Sequence, residues 1–148
     1  MILSINIDLF LLGVAIASTA ILGFIIFLND SRSQTGRAFL FFSVVTLLWD
    51  TTNFLDHQIT SVALSFWLIR LTIFLAVWHS FALFHLFYVF PDKNVTFPRW
   101  YRFGLIPIVA FSSLLTLTPF VFKAIQEISP EGKITKISNG SGIVVFVA

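Results

Sequence analysis

The chain has 148 residues, 57% hydrophobic, 17% aromatic and 11% charged, with a mean hydropathy of +0.95 and a formal net charge of +2. A soluble domain carries about a quarter charged residues, so nineteen Phe and four Trp among so few charges exclude an ordinary water-soluble globule and point to the membrane class. No basic patch interleaves with exposed aromatics, which argues against a nucleic-acid partner, and the lack of Cys excludes disulfides, thiolate metal sites and cysteine nucleophiles.

Residues 1–8 contain no Lys or Arg, whereas a cleaved secretory signal opens with a basic region, so the first apolar run reads as a retained helix. Residues 9–28 are uncharged and cover roughly 30 Å, the hydrocarbon thickness of a bilayer. Gly13, Ala15, Ala17, Ser18, Ala20 and Gly23 run through this span and would let another helix approach closely. The connector 29–37 holds Asn29, Asp30, Ser33 and Gly36, residue types that favour a turn and an N-cap. A second span, 38–55, is apolar through Trp49 and turns amphipathic at Asp50. After a short turn at 56–61, a third run over 62–90 carries Arg70, His79 and His85 and ends at Phe90-Pro91.

The connector 91–102 sets Trp100 and Tyr101 beside Arg99 and Arg102, as a membrane–water interface selects. A fourth span is expected over 103–122, with Pro107 tolerated in its first turn and Pro119 kinking or ending it. Beyond it, 123–142 is polar. Residues 133–138 and 143–147 either form a hairpin around Asn139-Gly140, or Ile143 opens a fifth membrane helix. A chain that stops inside an apolar run reads as a fragment. The expected fold is an all-α polytopic transmembrane bundle of four helices and the start of a fifth, forming one membrane-embedded region with a short extracytoplasmic loop or hairpin. The connectors 29–37 and 91–102 hold five of the nine Lys and Arg, so the positive-inside rule places them in the cytoplasm and the N-terminus outside.

Asp50 and Arg70 are the charges set within spans. A charge at a helix centre costs about 2.5–3.5 kcal/mol on insertion scales, so partners are expected. Counting from residues 38 and 90 places Asp50 about 18 Å deep, level with His79, and Asp56 and Arg70 about 27–30 Å deep, at the far boundary. This suggests two pairs, Asp50 with His79 and Asp56 with Arg70. Arg70 suits a snorkelling interfacial anchor or a structural ion pair. For Asp50 a structural hydrogen bond competes with a ligand, proton or switch role. His79 and His85 are six residues apart and do not share a helix face, so no metal site is predicted. No nucleophile–base set and no Gly-rich phosphate loop occurs, so neither catalytic residues nor a cofactor are assigned.

Asn29-Asp30-Ser31-Arg32-Ser33 and Arg37-Ala38-Phe39 lie between the first two spans, Trp49 late in the second, and Phe84-His85-Leu86-Phe87-Tyr88-Val89-Phe90-Pro91 closes the third. In this order and spacing, over residues 9–122, the chain resembles the N-terminal seven-helix input region of bacterial sensor histidine kinases. The resemblance implies a multi-pass region of the plasma membrane that reads an unknown small ligand or a membrane state. It also implies a cytoplasmic output domain in cis and a homodimer. It carries no ligand-binding residues onto this sequence, and His79 and His85 are not the phosphoaccepting His of a kinase module. The competing expectation is a fragment of a transporter, or a small accessory subunit. Only Pro107 and Pro119 hint at the broken helices of a transporter, and no repeat is visible.

Overall fold

The uncharged N-terminal run forms α1 (Ile7–Asn29) in a computed structural model that describes residues 7–59, 61–91, 95–128 and 134–141. The connector turns as its composition demands: Asp30 Oδ1 accepts the Ser33 N–H at 3.2 Å. Ser33 then caps α2 (Gln34–Gln58) by accepting the Gly36 N–H at 3.5 Å, which satisfies one orphan donor of the first turn. A short link leads to α3 (Val62–Val89), which stops before the cis Phe90–Pro91 bond. Three segments, Phe10–Asn29, Gln34–Asp56 and Val62–Val89, are long and apolar enough to cross a membrane.

The fourth helix begins after Pro98, whose carbonyl accepts the N–H groups of Tyr101 (3.1 Å) and Arg102 (3.4 Å). It opens as a π-helical turn, Tyr101–Leu105, closed by Ile106 N–H to Tyr101 O, and continues as α4 (Ile106–Thr116). Pro107 accounts for the widened turn. Its ring has no N–H and would strike the carbonyl four residues back, and a π turn relieves that crowding. The expected span over 103–122 is corrected here, because the helix ends at Thr116. Leu117 and Thr118 donate back to Leu114 and Leu115, and Pro119 sits in the turn that follows.

Consecutive helices pack on one another, α1 on α2, α2 on α3 and α3 on α4. Small residues make up much of the buried set: Ala38, Ser43, Ala82, Ser113 and Thr116 are all at most 2% exposed, as are Val89, Tyr101 and Val121, whereas Leu28 and Phe103 are 73% and 79% exposed. Small residues inside and large apolar ones outside is the packing of helices in lipid. Gly23 makes the closest approach: a Cβ there would lie 2.7 Å from Ser43 Cβ and Oγ. Gly13 has open space around it instead.

After the turn, β1 (Phe122–Ile128) pairs antiparallel with β2 (Ile134–Asn139), Phe122 opposite Asn139 and Ile125 opposite Ile137. β2 thus pairs backwards with the segment after α4, and the second strand of the hairpin expected around Asn139-Gly140, residues 143–147, lies outside the described residues. Gly140 ends the ladder by donating to the Val121 carbonyl at 2.7 Å. A Cβ on Gly140 would overlap the Phe120 carbonyl oxygen, so only glycine fits. The fifth helix or strand expected from residue 143 lies outside the described residues.

Candidate functional site

Asp50 and His79 come together at the seam between α2 and α3. The His79 imidazole lies between two rings of α2, stacked on Phe42 (5.2 Å, 21°) and on Trp49 (5.3 Å, 18°). Phe42 and Trp49 are two helical turns apart and so share a face, which leaves a slot one ring deep. Asp50, next to Trp49, is in electrostatic reach of His79, yet among the described residues no hydrogen bond or ion pair joins them. The buried Trp49 Nε1 also lacks a hydrogen-bond partner. An acid, an imidazole and an indole N–H are thus gathered without being bonded to one another. Stacking fixes the imidazole plane and leaves both ring nitrogens available.

The second expected pair is corrected. Asp56, in the last turn of α2, accepts a hydrogen bond from the Ser65 hydroxyl in the first turn of α3. Arg70 lies five residues further along α3, about 7.5 Å away along the axis. Its guanidinium folds back over Phe66 (4.3 Å) and Trp67 (5.2 Å) of its own helix and is only 6% exposed. Arg70 is therefore a buried cation stacked on the rings of its own helix. The cause is side-chain direction: helical side chains lean toward the N-terminus and cover the i−3 and i−4 positions, and here both are aromatic.

At the other end of α3 a denser aromatic cluster forms around His85. Its Nδ1 lies 2.5 Å from the Tyr101 hydroxyl, and its ring stacks on Phe97 (5.5 Å, 19°) and Phe81 (6.0 Å, 23°). Tyr101, 2% exposed, also packs on Phe97 at 4.8 Å and on Tyr88 at 5.4 Å. The two connectors are tied together beside this cluster. Thr35 donates its hydroxyl to the Val89 carbonyl (3.4 Å), and Val95 N–H donates to Gln34 Oε1 (2.8 Å). The 29–37 and 91–102 connectors therefore meet at one end of the bundle. In the sequence His85 belongs to a motif and Tyr101 to an interfacial aromatic pair, sixteen residues apart. The available signal was the Trp100-Tyr101 pair lying next in sequence to the basic connector.

Among the described residues no three His, Cys, Asp or Glu side chains gather as metal ligands would. Comparison with protein-family models, curated proteins and solved structures gave no match to this chain.

Proposed function

We propose that this chain is the membrane-embedded input region of a signal-transduction protein of the histidine-kinase type. It lies in the plasma membrane and passes a ligand or membrane-state signal, through helix packing, to a cytoplasmic output domain in cis. The observation that carries this reading is the Asp50–His79–Trp49 cluster at the α2–α3 seam, where polar capacity is gathered but not spent. Intramembrane ionisable groups are functional candidates by default. A group that offers a donor or acceptor to this cluster, or a proton delivered to it, changes the preferred separation of α2 and α3. The same two helices are bonded at the connector end through Thr35 and Val89, and Gln34 of α2 holds Val95 of the connector that follows α3, so a change at the seam has a short mechanical route to that end. The excess of Lys and Arg in the two connectors supports placing that end in the cytoplasm and the N-terminus outside.

The test uses the full-length protein. His79→Phe keeps the stacked ring and removes the nitrogens, and Asp50→Asn keeps the shape and removes the charge. Each is expected to shift the output, read as phosphoryl transfer or a transcriptional reporter, severalfold at unchanged membrane abundance. Output unaltered in both variants sinks the reading, and substrate flux through the protein in liposomes would replace it with transport.

A further inference from the structure

Between the first turn of α2, the last turns of α3 and the π-helical turn lies a cavity of about 290 Å³, whose lining includes Arg37, Arg102, His85, Tyr101, Phe41 and Phe97. Two cations from different connectors meet there, and among the described residues no carboxylate lines it. Arg37 donates its Nε–H to the Ser31 carbonyl at 3.0 Å, which leaves the terminal N–H groups of its guanidinium to serve another acceptor. The Arg102 guanidinium has no hydrogen-bond or ion-pair partner among the described residues. The His85–Tyr101 bond adds one more donor whichever way its proton lies. If the phenol donates to Nδ1, Nε2 carries a hydrogen; if Nδ1 donates, the phenol O–H is free.

Two guanidinium groups and a neutral donor suit a phosphate, which accepts forked hydrogen bonds from Arg. The rest of the cavity is ring and aliphatic carbon. A free phosphate would satisfy the cations and leave that apolar wall uncovered, whereas a phospholipid covers it with glycerol and acyl carbons. The site also lies at the bundle end where Trp100 and Tyr101 adjoin the basic residues, the composition of a headgroup boundary. We infer that this cavity is a headgroup site for a net-anionic phospholipid, held by Arg37 and Arg102 against the His85–Tyr101 pair. The inference requires only that the bundle lies in a bilayer and is independent of the signalling reading.

Native mass spectrometry of the purified chain in detergent, offered phosphatidylglycerol and phosphatidylcholine at equal concentration, tests it. The wild type is expected to retain phosphatidylglycerol at least tenfold over phosphatidylcholine, about the effect of one charge-assisted hydrogen bond. The Arg37→Ala/Arg102→Ala double variant is expected to lose that preference. The Arg37→Lys/Arg102→Lys variant keeps the charge without the fork and should fall between the two. His79→Phe, at a residue that does not line the cavity, should leave the preference intact. Equal retention of both lipids by the wild type overturns the proposal without any variant, so a misfolded double variant cannot shelter it. A folded double variant that keeps the preference overturns it too. Displacement of phosphatidylglycerol by an equal concentration of inorganic phosphate would give the site to the free anion and overturn the lipid assignment.

Discussion

Replacing Gly23 with Ala would place a methyl carbon 2.7 Å from both Cβ and Oγ of Ser43. Carbon atoms in contact settle at about 3.5–4.0 Å, so α1 and α2 must separate locally by about 1 Å. Overpacking of this kind costs about 1–3 kcal/mol, against a helix-propensity gain for Gly→Ala of about 1 kcal/mol. The expected net loss is therefore about 0–2 kcal/mol, small enough that a single variant is a poor test. A double-mutant cycle is a better one. Ser43→Ala removes only Oγ and leaves its Cβ in the way, so it should rescue Gly23→Ala little. Ser43→Gly removes both offending atoms and should recover most of the clash, a coupling of about 1–3 kcal/mol. Reversible unfolding in mixed detergent micelles, followed by Trp fluorescence, measures each corner. Equal rescue by Ser43→Ala and Ser43→Gly, or none by either, would refute the close α1–α2 approach.

Tyr101→Phe keeps every ring contact of the His85 cluster and removes its one hydrogen bond. The same unfolding measurement should show a loss of about 1–3 kcal/mol, that of a buried polar group left without its partner, and unchanged stability would show the bond to be dispensable. Pro107→Ala restores a backbone N–H and should let the π-helical turn relax to α-helix, rotating residues 101–105 by about 100° relative to α4. Nuclear Overhauser contacts between the Tyr101 and His85 rings should then vanish, and their persistence would show that Pro107 does not set the turn.

The spans were legible because a charge-free run of some twenty residues admits few other readings, and the first three helices fall close to the expected limits. The fourth was read too long. Residues 117–121 are mostly apolar, and hydropathy cannot distinguish an apolar turn from another helical turn. Val121 is fully buried and its carbonyl accepts the Gly140 N–H, a contact across nineteen residues that no local pattern encodes. Depth counting placed Asp50 level with His79, since helix rise is nearly constant. It failed for Asp56 and Arg70, because α2 begins at Gln34 and not at residue 38, so the count set Asp56 about 6 Å too shallow and its level is that of Ser65. The His85–Tyr101 bond was not legible for another reason: the path of the connector between α3 and the π-helical turn decides which aromatic returns to α3.

The two histidines of α3 differ in what their surroundings leave undone. In lipid, polar groups must be satisfied by the protein itself, and several short hydroxyls manage this within their own helix: Thr46 donates to Phe42 O (2.8 Å), Thr52 to Leu48 O (2.7 Å) and Ser80 to Ala76 O (3.0 Å). An imidazole has no such local solution and depends on another element. His85 has one, since Tyr101 saturates Nδ1 and the Phe81 and Phe97 rings pack against both, so a change there should register as lost stability. His79 has rings on both faces and neither nitrogen bonded within the described chain. Its environment orients it without satisfying it. Substitutions that keep a flat ring at position 79 should therefore preserve the bundle while abolishing whatever the nitrogens recognise, and that separation of folding from recognition makes the α2–α3 seam the place to look for a stimulus.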